Sequence, residues 1–327
     1  MCNDNTVQVI TDADLVAGTS DADSTVGSLV GSDLTSVNSS VLDYTYENGR
    51  RYHAFRKGAY LIPNDEDEQD RMDLLHHIYG LVLGGELNLA PIKDPRRVLD
   101  IGTGTGIWAI DFADQYPNAE VIGNDLSPIQ PKWVPPNLAF EVDDYESEWL
   151  HTRPFDFIHG RELAGAIKDF PLLARRTFDA LSPGGFLEMQ SLRIECFSDD
   201  GSLDKAPFTK QMVELIQEAS IKFGKPMADM DTWADALQDA GFVDVVCKII
   251  KVPISPWPAD PKKKEIGRYF QVQQQQGISS YVPGLLTNVL GWSSLEVAVL
   301  LAKANSELLD LSVHQYGKLY VVYGRKP

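Results

Sequence analysis

From Arg96 onward the chain alternates two kinds of apolar spacing. Short apolar runs, "RVLDIG", "AEVIGND", "LAFEVDD", "FDFIHG" and "GGFLEMQ", are separated by stretches such as "IWAIDFADQYP" and "PLLARRTFDALSP", where apolar residues recur every three or four positions. The first kind reads as a buried strand and the second as a helix laid on the sheet. Their alternation predicts an α/β architecture with a parallel sheet covered by helices. Further on, "FTKQMVELIQEASIKFG" and "DTWADALQDAGF" predict helices, and "VDVVCKIIKVPI" and "GKLYVVYGRKP" predict two more strands. Residues 255–315, between those strands, are too many for a hairpin turn. Helical patterns in "KKKEIGRYFQVQQQQ" and "SSLEVAVLLAKANSELLDL" make this segment a helical lid or wall.

Upstream of the alternation, "EDEQDRMDLLHHIYGLVL" predicts a helix. Asn64 can cap it, acids crowd its first turn where the helix dipole favours them, and Met72, Leu75, Tyr79 and Val82 share one face. Before it, "YTYENGRRYHAFRKGAYLIPND" mixes aromatic and basic residues, whereas residues 1–40 are Asp, Ser, Thr, Gly and Val without periodicity. Such a stretch cannot bury enough to offset its ordering entropy. The predicted organisation is therefore an acidic disordered tail over 1–40, a helical cap over 41–92, and a main domain over 93–327 that carries the lid.

Charge narrows the function classes. The net charge is −18 and the first basic residue is Arg50. A chain this acidic is poorly suited to neutralising phosphates, which argues against a nucleic-acid partner. No apolar stretch approaches the roughly 20 residues that span a bilayer, and no basic-then-apolar leader opens the sequence, so a soluble protein without a membrane partner is expected, cytoplasmic with the nucleus as the alternative. The three cysteines have no CxxC spacing, and no HExxH or H-x₃-H pattern occurs, so no metal site is expected.

The chemistry concentrates in "VLDIGTGTG" at 98–106. A glycine-rich turn between the first strand and first helix of an open α/β sheet is where polar cofactor parts meet a helix N-terminus. The spacing here is G-x-G-x-G, with Ile107 where the dinucleotide fingerprint requires glycine. Asp100 would repel a pyrophosphate but attract an ammonium group, and no Gly-Lys-Ser/Thr follows. S-adenosylmethionine, with an ammonium and no phosphate, suits this loop better than NAD.

"VLDIGTGTG" resembles motif I of the class I S-adenosylmethionine-dependent methyltransferases. The resemblance implies a Rossmann-like seven-stranded sheet with its last strand antiparallel. It implies that Gly102, Thr103, Gly104 and Gly106 lie against the methionine part, with Asp100 near its ammonium. It further implies that Asp125, ending "AEVIGND", takes the two ribose hydroxyls, that Leu126 lines the adenine slot, and that Asp143, Asp144 or Tyr145 meets the adenine edge. "ENGRRYHAF", "GAYLIPNDEDEQDR", "DLSPIQPKWVPPN" and "FDFIHGREL" are together similar to the fungal LaeA-like methyltransferases. That similarity implies that the N-terminal segment folds back over the cofactor through Tyr52, His53, Tyr60 and Arg71.

The methyl group on a sulfonium is already activated, so in-line positioning does most of the work and a base helps where the acceptor carries a proton. His159 and Glu162 in "FIHGREL" are the catalytic candidates, His159 also being a candidate cofactor contact. A small-molecule acceptor is expected to meet His53, Arg161 and the aromatics Trp257, Tyr269, Tyr281 and Trp292 of the lid. A LaeA-like protein acting through protein partners is the alternative.

Overall fold

A computed structural model describes residues 44–47, 50–53, 55, 56, 58 and 62–327. The predicted tail at 1–40 and Tyr60 lie outside the described residues. A short hairpin, β1 (Thr45–Glu47) and β2 (Arg50–Tyr52), precedes helix α1 (Glu66–Leu83). The main sheet follows with β3 (Arg97–Ile101), α2 (Ile107–Gln115), β4 (Glu120–Asp125), β5 (Leu138–Val142), β6 (Phe155–Arg161), α3 (Phe170–Ala180) and β7 (Leu181–Leu192). The chain continues through α4 (Pro207–Phe223), α5 (Trp233–Ala240), β8 (Val243–Pro253), α6 (Pro261–Asn288), α7 (Ser294–Leu308) and β9 (Tyr316–Arg325).

Seven strands form one sheet in the order β5-β4-β3-β6-β7-β9-β8. Strands β5 to β7 pair in parallel, while β9 is antiparallel to both β7 and β8. The sheet is the Rossmann-like arrangement that the alternation and the glycine motif imply. Strand β3 is buried along its whole length, as a central parallel strand covered on both faces must be. Alternate residues feed opposite cores. Val98, Val121 and Phe157 pack with Trp108 and Phe112 of α2 on one face, while Leu99, Ile101 and Ile158 pack with Leu173 of α3 and Trp233 of α5 on the other.

Helix α1 is not an appendage. Leu75, Ile78, Tyr79 and Val82 share a core with Leu192 of β7, Phe270 of α6 and Val321 of β9. Two local expectations change. The α1 cap is Asp65, which accepts the Glu68 amide at 3.2 Å, while Asn64 donates to Ser127 Oγ at 3.1 Å. Helix α6 continues past Gln276 to Asn288 through Gly277 and an internal Pro283, both unfavourable in a helix interior. Burial of Ile278, Val282, Leu285 and Leu286 against α4 and α7 outweighs that local preference.

Candidate active site

The carboxyl ends of β3, β4 and β6 open into a pocket closed from above by α1 and the segment before it. Its floor is the turn after β3. Gly102, Gly104 and Gly106 all adopt positive φ, at 62°, 60° and 82°. An L side chain is strained there, so glycine is the residue the turn can use. Asn124 clamps the turn: its carbonyl accepts from the Thr103 amide at 2.8 Å and its side chain from the Gly102 amide at 3.2 Å. Asp100 is held on both oxygens, by Thr103 Oγ1 at 2.5 Å and by His159 Nδ1 at 2.8 Å.

Asp125 ends β4 beside this floor. Its carboxylate accepts the Gly104 amide at 2.9 Å and the Ser127 amide at 2.9 Å. Burial nevertheless pushes its pKa up to about 6, with those two amides and His53 opposing. Desolvation therefore exceeds the hydrogen-bond support, and a ligand offering further donors would favour the charged carboxylate.

Above the pocket, α1 and the segment before it are buttressed by α6. Glu68, 2% exposed, accepts Arg71 at 2.6 Å and Ser280 Oγ at 2.5 Å. Arg50 pairs with Asp65 through two hydrogen bonds and reaches Ser280 at 3.3 Å. On the far wall, Arg161 donates to His76 Nδ1 at 2.9 Å and lies over the Tyr79 ring at 5.0 Å. The other nitrogen of His76 faces Asp111 at 2.9 Å, so this imidazole is neutral with its proton on Nε2. Burial and the Arg161 charge both lower its basicity, in agreement with that tautomer. Arg161 has no carboxylate within 4 Å among the described residues, unlike Arg71, paired with Glu68, and Lys225, paired with Glu146. Beside it, Glu162 holds φ at 57°, a strained value for a non-glycine residue. Its carboxylate accepts from Tyr79 Oη and from the Leu192 amide at 2.8 Å, yet burial raises its pKa.

A model of the methyltransferase domain matches residues 74–247. The chain is 43% identical to methyltransferase pytC of Aspergillus terreus over 302 residues, covering 90% of this chain and 92% of that protein. The chain belongs to the methyltransferase domain family. Among other relatives of this methyltransferase are the secondary metabolism regulator LAE1 of Cochliobolus heterostrophus, 38% identical over 86% of this chain and 94% of that one. The protein-methionine methyltransferase laeA of Emericella nidulans is 35% identical over 90% of this chain and 80% of that one.

S-adenosylmethionine fits the donor set of this methyltransferase. The Asp125 carboxylate faces the glycine turn, the acids Asp100 and Glu162 line the same pocket, and the Arg161 guanidinium, with no carboxylate within 4 Å among the described residues, can meet a ligand carboxylate. A zwitterionic amino acid joined to a ribose would meet complementary groups there.

The structure brings many of the sequence-predicted residues of the methyltransferase to this pocket. Asp100, Gly102, Thr103, Gly104, Asp125, Leu126, Asp144, Tyr145, His53, Arg71, Arg161 and Glu162 all line it. Others stand elsewhere. Gly106 is off the wall, and a Cβ there would come within 2.3 Å of Phe140 Cζ, so packing of α2 on β5 explains this glycine. Tyr52 and Asp143 also lie outside the lining; the Asp143 carboxylate accepts its neighbour's amide. Trp257 and Tyr269 serve the lid, Trp257 donating to the Gln315 carbonyl at 2.9 Å and Tyr269 packing edge-on to His77. Trp292 packs against the core of the lid helices, and Tyr281 faces a second cavity.

The expectation of His159 as a base or cofactor contact gives way to a structural role. Its ring is fully buried, stacked on Trp108 with centroids 3.6 Å apart, and absent from the pocket wall. Burial lowers its basicity against the pull of Asp100, and its task is to hold that carboxylate. The sequence does not single out Asn124, Glu68 or Ser127, and it reads His76 as structural, whereas His76 lines the pocket. The adjacent His76 and His77 and the "GND" strand end are signals, but which side of α1 or β4 each side chain takes depends on packing.

Proposed function

We propose that this methyltransferase moves the methyl group of S-adenosylmethionine to a small-molecule acceptor of secondary metabolism. The observation that carries the reading is the Asp125 carboxylate fixed against the glycine turn, in a pocket whose wall also holds the Arg161 guanidinium, with no carboxylate within 4 Å of it among the described residues. The cofactor supplies a methyl carbon already activated by its sulfonium. Asp125 would hold the ribose hydroxyls, Arg161 the amino-acid carboxylate, and Asp100 the ammonium side. In the transfer, a bond forms between the acceptor atom and the methyl carbon while the carbon–sulfur bond breaks and its electron pair stays on sulfur. The proton of an O–H or N–H acceptor passes to Glu162, whose carboxylate lines the pocket and whose pKa burial raises. His159 holds Asp100 and moves no proton.

Incubation with isotopically labelled S-adenosylmethionine and fungal metabolite extracts tests the reading. Label is expected in an organic-soluble product, and tight cofactor binding with no label in any small molecule would refute it. The relatives named as secondary metabolism regulators favour a second reading, in which the fold binds cofactor and acts through a protein partner. Co-purification from native extract distinguishes the two: a stoichiometric protein partner together with absent small-molecule turnover would support the second.

A further inference from the structure

The end of β6 and the inner face of α1 hold one cation of the cofactor pocket differently from the others. Arg161 closes β6, lines the pocket and is half-buried. Its one hydrogen-bond partner among the described residues is His76 Nδ1, at 2.9 Å. One turn further along α1, the Tyr79 ring covers a face of the guanidinium at 5.0 Å. Burial lowers the Arg161 pKa, against the pull of Tyr79, Asp100, Glu162 and Asp111. A guanidinium drawn this far from water is ordinarily paired with a carboxylate. Arg71 and Lys225, on the same pocket wall, are paired in that way, with Glu68 at 2.6 Å and Glu146 at 2.8 Å.

His76 keeps Arg161 in place by other means. Its Nε2 faces an Asp111 oxygen at 2.9 Å, and that half-exposed carboxylate of α2 fixes the ring proton on Nε2. Nδ1 is left as a lone pair aimed at Arg161. Burial and then the Arg161 charge lower the basicity of His76, against Asp111 and Asp73, so the ring is neutral. A neutral acceptor orients a guanidinium without cancelling its charge. A carboxylate at the same place would form an ion pair and compete with any anionic ligand. The helix that carries His76 is itself tied to the pocket floor, because Thr105 Oγ1 of the glycine turn donates to Asp73 at 2.7 Å.

We propose that His76 is a positioning residue: it holds the Arg161 guanidinium ready for the carboxylate of S-adenosylmethionine while leaving its charge uncompensated. The proposal rests on the methyl-transfer reading above, in which Arg161 takes that carboxylate. Guanidinium is a fixed fork of donors, so anchoring one arm on His76 and one face on Tyr79 sets the direction of the rest. A ligand with an amino-acid part gains from this arrangement. A bare nucleoside does not.

Calorimetry on the full chain tests this with two ligands. S-adenosylhomocysteine carries the amino-acid part, whereas methylthioadenosine keeps the nucleoside and the sulfur but has no carboxylate. His76→Asn puts a neutral amide oxygen where Nδ1 stood and should keep S-adenosylhomocysteine affinity within about threefold of wild type. His76→Asp has the same size but presents a carboxylate that pairs with Arg161, and should weaken S-adenosylhomocysteine by about tenfold or more. Methylthioadenosine should bind all three forms alike, which also reports that each is folded. Equal effects of the two substitutions on S-adenosylhomocysteine would overturn the proposal, as would a loss shared by both ligands. A wild-type chain that binds the two ligands equally well would overturn it and leave the methyl-transfer reading standing. A wild-type chain that binds neither would remove both.

Discussion

The two cavities of this methyltransferase solve opposite problems. In the cofactor pocket nearly every charged group already has a partner: Asp100 has Thr103 and His159, Asp125 has two backbone amides, Glu68 has Arg71 and Ser280, and Glu162 has Tyr79 and Leu192. Such a site is preorganised, because a ligand meets groups whose positions are set before it arrives. The cavity behind it, walled mostly by apolar side chains, leaves the Gln315 amide without a hydrogen-bond partner among the described residues. The contrast separates a region whose polar groups are set in place by partners from one that leaves a buried amide without any.

The sharpest way to break this comparison is Glu162→Gln. If Glu162 receives the acceptor proton, kcat should fall by about 10²- to 10⁴-fold while S-adenosylhomocysteine affinity stays unchanged. A loss of affinity with kcat intact would return Glu162 to the structural partners. Asp125→Asn acts on the other side of the contrast. Removing one charged hydrogen-bonding group is expected to weaken S-adenosylhomocysteine by about 10- to 100-fold, measured by calorimetry.

Acidity sharpens it further. Asp125 titrates at about 6 in the folded chain, above its ordinary value of 3.8, so the folded form holds this proton more tightly than the unfolded one. The free protein should therefore lose stability from this group as pH rises from about 4 through 6, because the unfolded chain gives up the proton first. Ligand hydroxyls need the charged carboxylate, so cofactor affinity should move the other way, rising about tenfold between pH 5 and 7 and then levelling off. A flat profile in the wild type, or an equal slope in Asp125→Asn, would detach Asp125 from the hydroxyls. The smallest effect belongs to the second cavity: Gln315→Leu should raise unfolding stability by about 1 kcal/mol in denaturant titration, since it removes an unsatisfied buried amide.

The sequence by itself determined the alternating strands and helices, the antiparallel final strand once the family likeness was drawn, and the floor of the cofactor pocket. These depend on neighbours in the chain: β3, the glycine turn and Asp125 lie within 97–125, and their periodicity and backbone demands are local. The same local logic misplaced Gly106 and His159. A glycine required by Phe140 and a histidine stacked on Trp108 look, in one dimension, like ligand contacts. Only the tertiary structure decided the roof and the second cavity. Glu68 meets Ser280 across 212 positions and Gly277 separates Arg71 from Tyr281, while α6 runs through a glycine and a proline that local preference would use to end it. The physical reason is that burial of an apolar helix face, shared among α4, α6 and α7, exceeds the small per-residue preferences that can be read along the chain.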